Sequence, residues 1–303
     1  MLDFGRIRTI PIKERKNKVT ILDIIKPEDS KVLMDSQDFN ELTGEIIKSH
    51  KNRKKIILMM GAHVIKVGMS LLVIDLMKKG IISHVAMNGA GPIHDFELAY
   101  IGETSEYVEN TIEDGTFGMV EETGSILNSA IRQGAGNFRG MGYSIGEKIY
   151  ELKLANRDCS ILYNAYMLKI PVTVHVAIGT DIIHQHPSCD GACIGKTSYE
   201  DFKIFTESVS RLHDGVILNF GSSVILPEVF LKALTISRNL GFEVSKITAA
   251  NFDMIDHYRP RLNVVQRPTS LGGKGFVIIG RHEKTIPTLH RRIIEDLNLH
   301  PAK

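Results

Sequence analysis

The chain has 303 residues, with 37 Lys and Arg against 35 Asp and Glu, a formal net charge of +2. That near balance argues against a strongly basic nucleic-acid binder and against an acidic disordered chain. Hydrophobic residues make up 43% and charged residues 24%, the ordinary globular range, and a chain of this length buries about 75% of its unfolded surface without needing a disulfide or metal staple. Cys159, Cys189 and Cys193 are too few for a secreted disulfide framework. No run of about 18 apolar residues predicts a membrane span, and the N-terminus lacks the apolar stretch of a signal peptide. The expected address is the cytoplasm.

Residues 1–50 read as an N-terminal arm and helix, and residues 51–303 as a single α/β domain. KERKNK at 13–18 reads as a solvated basic arm, with an arm that packs on a neighbouring subunit as the sharper alternative. DFNELTGEIIKSHKNRKK at 38–55 reads as an amphipathic helix with Phe39, Leu42, Ile46 and Ile47 on one face. KKIILMMGA is a short apolar run ending in glycine, hence a buried strand. Residues 63–80 predict one helix stopped by Gly80, ISHVAMNGAG a second strand, and HDFELAYIG another helix opening at His94. Strand, helix and strand of these lengths form a right-handed parallel βαβ unit.

The glycine-rich stretch 114–146 reads as a helix between two long surface loops. QGAGNFRGMG within it looks superficially like a phosphate loop, but no strand precedes it, which favours a connecting loop. Alternation then resumes. Helices are expected at SILYNAYMLKI, YEDFKIFTESVSRL, PEVFLKALTISRNLG and IPTLHRRIIEDLNL, and strands at VTVHVAIG, GVILNFGSS, EVSKITAANFD and GFVIIG. At least six strands separated by helices predict a doubly wound, mostly parallel, Rossmann-like α/β sheet.

Ligands of such sheets bind at the carboxyl ends of the strands. Successive strand ends here carry Gly61-Ala62-His63, then Asn88-Gly89-Ala90-Gly91, then Gly179-Thr180-Asp181, then Gly221-Ser222-Ser223, then Asn251, Asp253, Asp256 and His257. Small residues let backbone N–H groups approach a phosphate, and a carboxylate can hold ribose hydroxyls. Together they suggest a nucleotide-sized cleft, although ordinary turns favour the same residues. Asn88-Gly89-Ala90-Gly91 is not the G-x-G-x-x-G fingerprint, since Pro92 follows.

The densest polar stretch runs from Asp181 through His184, His186, Cys189 and Cys193. Its H-x-H-x-x-C-x-x-x-C spacing is not a standard zinc pairing. A structural loop is the first reading, a substrate-contacting His184 or His186 the second, and a metal site the third. Lys66 in HVIKVG and Lys274 in LGGKG are candidate imine-forming lysines, a role that requires partial desolvation of the amine. Arg259, Arg261 and Arg267 could pair a carboxylate or phosphate, or form an exposed charged loop.

The collinear order of these segments over about residues 55–290 resembles the deoxyhypusine synthase family, especially its bacterial deoxyhypusine synthase-like branch. AHVIKVGMSLLVIDLMKKGIISHVAMNGAGPIHDF is similar to that family's first NAD-binding stretch. IPVTVHVAIGTD is similar to its I-P-V-F strand and T-D segment, GVILNFGSSVI to its triple-glycine turn, and RPTSLGGKG to the surroundings of its catalytic lysine. The resemblance implies NAD as cofactor, a homotetramer with sites at dimer interfaces, and an amine-oxidising transferase that carries an imine fragment on a lysine to an acceptor amine. It places NAD against Ala62, His63, Asn88, Gly89, Ala90, Gly91, Asp181, Gly221, Ser222 and Ser223. On that reading catalysis falls to Lys274, His184 and Asp95, and substrate contacts to His94, Asp95, His186 and Asn263, with His184 and His186 taken from the polar stretch itself. His94 and Asp95 stand where the family has paired glutamates, and Arg261 lies near its acidic G-S-D segment. Those changes argue against spermidine and toward a less cationic substrate with its own carboxylate. The alternatives are an NAD-dependent amine or amino-acid oxidoreductase, a cyclodeaminase, or a non-catalytic NAD-binding oligomer.

Overall fold

The computed structural model describes residues 2–298. Its strands are β1 (Asn17–Thr20), β2 (Ile56–Met60), β3 (His84–Asn88), β4 (Glu103–Glu106), β5 (Val172–His175), β6 (Val216–Phe220), β7 (Thr248–Asp253) and β8 (Lys274–Ile279). β1 and β4 pair antiparallel in a small sheet of their own. The other six form one sheet in the order β5-β3-β2-β6-β7-β8, with every neighbour parallel. Counted by chain order within that sheet, the sequence of strands is 3-2-1-4-5-6, the doubly wound Rossmann arrangement. The fold is therefore the expected α/β class.

The central strands read as unbroken apolar runs because both faces of a parallel sheet are covered. All of Ile56-Ile57-Leu58-Met59-Met60 is buried. Alternate side chains go to opposite faces: Leu58 and Met60 join a core with Phe39, Leu72 and Ile286, while Ile57 and Met59 join another with Phe205 and Phe230. Helices Gln37–Lys51, Ser70–Lys78 and His282–Asp296 supply the first core, and helices Gly191–Ser210 and Ile225–Asn239 the second. In Gln37–Lys51, Ser36 caps the helix by accepting from the Phe39 N–H at 3.2 Å. Phe39, Leu42 and Ile46 are then buried along one stripe, each worth about 1.5–3 kcal/mol of apolar burial. Among the described residues no helix is long and apolar enough to cross a membrane.

Several local expectations are corrected. Residues 63–80 form two helices, His63–Lys66 and Ser70–Lys78, separated at Gly68. Gly68 has φ +76°, and a Cβ there would lie 2.1 Å from the Asp23 carbonyl oxygen. The N-terminal segment passes against that turn, with Ile25 N–H donating to the Gly68 carbonyl. The helix after β3 opens at Ala90, ahead of His94, because Pro92 is tolerated in a first turn. The stretch 257–268, for which the sequence allows an exposed charged loop as one reading, is helical from Tyr258 through Thr269, with Val264 and Val265 in the core. Leu299, the last residue expected in the terminal helix, lies outside the described residues.

The glycine-rich stretch is the largest correction. It contains two packed helices, Glu121–Gly136 and Met141–Leu152, rather than one helix between loops. Its glycines serve close approach: a Cβ on Gly142 would sit 2.2 Å from the Val172 carbonyl oxygen. The junction is held by Asp201, fully buried, whose Oδ2 accepts from the N–H groups of Gly142 at 3.0 Å and Val174 at 2.8 Å. Burial outweighs those hydrogen bonds and pushes the Asp201 pKa up to about 8.

Gly142→Ala should destabilise the protein by about 1–3 kcal/mol through overpacking, despite alanine's better helix propensity. Gly136→Ala, where a Cβ meets nothing within 4 Å, should be neutral or slightly stabilising. Paired urea denaturation curves check this, and equal effects would refute the close-contact account. For Asp201, the folded chain holds the proton to a higher pH than the unfolded chain, so stability falls as pH rises from 3.8 toward about 8. Asp201→Asn cannot ionise, so its Tm relative to the native protein should rise across that window. A pH-independent difference would contradict the assignment.

Candidate functional site

The winding of the sheet reverses between β2 and β6, and the turns ending those strands meet there. Gly61 N–H donates to the Phe220 carbonyl at 2.8 Å, Gly221 N–H to the Phe252 carbonyl at 3.0 Å, and Gly280 N–H to the Asp253 carbonyl at 2.9 Å. The parallel ladder thus continues past the strand ends and fixes four turns relative to one another. A Cβ on Gly61 would come 2.7 Å from the Gly221 carbonyl oxygen. Gly221 has φ +65°, and a Cβ there would come 2.6 Å from His282 Nε2. Ser222 is buried, its carbonyl accepting from Asn219 Nδ2 at 2.9 Å and its Oγ from the Leu226 N–H at 3.3 Å. The floor of this crevice is consequently backbone, with Ala62 and Ser223 beside it.

A cleft of about 400 Å³ adjoins the crevice over the ends of β2, β3 and β5. His63 and Lys66 line it from the turn after β2, Ala90, His94 and Glu97 from the helix after β3, and Thr180 and Asp181 from the turn after β5. Its remaining wall comes from Arg15 and from Ser105 and Glu106 of the small β1–β4 sheet. The Arg15 guanidinium forks onto Glu97, with NH1 to Oε1 at 2.8 Å and NH2 to Oε2 at 2.7 Å. Both side chains are nearly inaccessible. Thr123 donates to Glu97 Oε1 at 2.9 Å and Thr104 to Glu97 Oε2 at 2.6 Å, filling the remaining acceptor positions. Glu106 lies 4.0 Å from the same guanidinium and accepts from the Gly118 N–H at 3.0 Å. Burial pushes its pKa up, and its Oε2 is buried without a hydrogen-bond partner.

The turn after β5 is also built around a carboxylate. Burial raises the Asp181 pKa to about 6. A Cβ on Gly89 would come 2.0 Å from Asp181 Oδ2, so the glycine is what admits the carboxylate beside Asn88, Gly89 and Gly91. His184 Nδ1 accepts from the N–H groups of Gly179 at 3.1 Å and Asp181 at 3.2 Å. Its proton is therefore on Nε2, 3.9 Å from Asp181 Oδ2. Burial pushes the His184 pKa down. His184 holds the shape of the turn and does not line the cleft.

Other expected site residues lie elsewhere. Lys274 begins β8, at the amino end of a parallel strand and hence at the edge of the sheet opposite the cleft. Its Nζ donates to Glu41 at 2.7 Å and Glu45 at 2.8 Å. These carboxylates push its pKa up, the reverse of what an imine-forming amine requires. Asp95 is fully buried and accepts from the N–H groups of Ile161 at 2.7 Å and Leu162 at 3.1 Å, capping the helix Ile161–Leu168. His186 is buried beneath Gly124 and bonds Ser188 at 2.7 Å. Asn263 is buried between Glu228, to which it donates at 2.8 Å, and Arg267. Arg259 pairs with Glu228 and Arg261 with Asp256, so neither is poised for a ligand anion. No three His, Cys, Asp or Glu side chains among the described residues come together as a metal site.

Sequence reasoning overlooked Arg15, Glu97, Glu106 and His282. His282 is buried, with ring centroids 5.8 Å from His63 and 5.9 Å from Phe220. It directly follows the last strand, so the strand-end rule applied to β8 would have found it. Arg15 offered no such signal, since KERKNK looks uniformly solvated.

Breaking a buried ion pair by removing one partner costs about 3–5 kcal/mol. Arg15→Met should therefore destabilise by that order, and the Arg15→Met, Glu97→Gln double variant should recover much of the loss. Urea denaturation of both checks this, and a cost within the range of about 0–1 kcal/mol typical of surface pairs would show that the pair is not structural.

No family model and no curated protein matches the chain. Solved structures share its fold. AgrE in a ternary complex with ornithine and NAD+ is 12% identical with a TM-score of 0.55, covering 88% of this chain and 34% of that one. A conserved putative LOR/SDH protein from Methanococcus maripaludis S2 is 14% identical with a TM-score of 0.52, covering 91% and 74%. A putative deoxyhypusine synthase from Entamoeba histolytica is 10% identical with a TM-score of 0.51, covering 89% and 91%. The chain spans about a third of the length of AgrE. At these identities the likeness is one of fold.

Proposed function

We propose that the protein is an NAD-dependent enzyme that binds its dinucleotide across the turns ending β2 and β6 and acts on a small amine or amino acid in the adjoining cleft. Strand order carries this reading: a 3-2-1-4-5-6 sheet places its dinucleotide crevice where the winding reverses. The residues there fit such a ligand. Gly61, Ala62, Gly221, Ser222 and Ser223 keep the floor open to backbone approach, with Asp253 at the end of β7, beside β6, and Asp181 in the turn after β5. NAD would supply hydride transfer when bound. The chain's own residues would hold the substrate and exclude water, with His63 and Lys66 on the boundary between crevice and cleft and the Arg15–Glu97 pair behind it.

The placement of Lys274, salt-bridged at the far edge of the sheet, argues against transfer of an imine on that lysine and favours an amine or amino-acid oxidoreductase, or a cyclodeaminase. Lys66, on the cleft wall, is the lysine placed to meet a substrate. The shared fold with AgrE, solved with ornithine and NAD+, supports an amino-acid substrate. A homo-oligomer remains part of the proposal, to be read by light scattering.

Calorimetry with NAD+ and NADH tests the cofactor. At least one form should bind, and Gly221→Ala should weaken binding about tenfold or more, because its Cβ would press on His282 in a left-handed backbone. Thermal melts show that the variant is folded. Lys274→Ala should leave binding and any NADH production from an amine and amino-acid panel unchanged. Absence of binding by both cofactor forms would overturn the reading.

A further inference from the structure

A hydrogen-bonded chain leads from the buried ion pair to the cleft, and its directions are fixed. Glu97, paired with Arg15, can only accept, so the single hydroxyl proton of Thr104 is committed to Glu97 Oε2 at 2.6 Å. The oxygen of Thr104 also lies 2.8 Å from His94 Nδ1. Having no proton left to give, it must accept there, and His94 must carry its proton on Nδ1. In a neutral imidazole Nε2 is then a bare acceptor. Among the described residues no group bonds Nε2, and His94 lines the cleft. Burial holds the His94 pKa down to about 4, with Lys66 and Arg15 adding to the effect and Glu97 opposing it. A second acceptor in the same wall, the buried Oε2 of Glu106, also lacks a partner among the described residues.

We infer that His94 is a specificity-determining residue: locked by Thr104, Glu97 and Arg15 as an acceptor, it selects a substrate that presents an N–H donor, a primary amine or ammonium group, to this wall of the cleft. This deepens the proposed function and rests on its reading of the cleft as the substrate side of the crevice. It also reverses the charge argument from sequence. An imidazole replacing a glutamate suggested a less cationic substrate, but an imidazole held in this tautomer does the accepting that a carboxylate would do.

Long-range proton–nitrogen correlation spectra of histidine-labelled protein read the tautomer directly. At neutral pH His94 should be uncharged with its proton on Nδ1. Thr104→Val should release that tautomer, and Thr104→Ser should restore it. Putrescine, added as a diamine, should shift the Nε2 resonance, whereas succinate, a dicarboxylate of the same chain length, should not. Thr104→Val should weaken putrescine binding about tenfold, the loss of one hydrogen bond. A proton on Nε2, a charged His94, preferential response to succinate, or response to neither compound would overturn the inference. NAD calorimetry on the same sample separates the two readings. Intact NAD binding with an Nε2–H imidazole refutes this inference alone, and lost NAD binding with the expected tautomer refutes the cofactor reading alone.

Discussion

Parallel pairing on both sides of β2 is the constraint from which the site follows. Consecutive parallel strands must be joined by crossovers, and these wind one way through β2, β3 and β5 and the other way through β6, β7 and β8. The segments leaving β2 and β6 therefore diverge onto opposite faces, and the gap between them cannot be filled by either crossover. What remains at the gap is the backbone of two glycine turns, braced by N–H groups that continue the ladder beyond the sheet. Bulk is excluded there by the neighbouring backbone itself, since a Cβ on Gly61 would collide with the Gly221 carbonyl.

The adjoining cleft solves a different problem. Its wall contains the carboxylates of Glu97, Glu106 and Asp181 with little access to water, and a buried charge is costly unless paired and hydrogen-bonded. Glu97 is satisfied on every side by Arg15, Thr104 and Thr123. Glu106 and Asp181 are not, and their raised pKa values record that shortfall. A wall that combines one fully satisfied carboxylate with under-satisfied acceptors is rigid yet unfinished, which suits a pocket completed by a small ligand with donor groups.

Much of the large sheet was legible because its strands are short apolar runs bounded by glycine and polar turns, and because helix stripes such as Phe39, Leu42 and Ile46 repeat at helical spacing. The strand-end segments around Gly61, Gly89, Asp181 and Gly221 were legible for the same reason. The glycines of 114–146 were misread because a glycine that admits a neighbouring helix or carbonyl looks, in sequence, like one that makes a loop. Lys274 was misplaced because the resemblance to a catalytic lysine outweighed chain order: Lys274 precedes the strand GFVIIG and so stands at its amino end. Parallel pairing with β7, Lys274 opposite Thr248, puts that end on the side of the sheet away from the cleft.

The sequence by itself determined the class of fold, the chain order of the six strands of the large sheet, and the turns that end its central strands, since these depend on local periodicity and on the steric freedom of small residues. Tertiary structure alone decided which polar residues share a pocket. Arg15 meets Glu97 across 82 positions of the chain, and its burial comes from the antiparallel pairing of β1 with β4, two short strands whose polar sequences carry no strand signal. Burial of a charge is set by what the rest of the chain packs around it, and so is the proton position on His94, which only the neighbouring hydroxyl and carboxylate dictate.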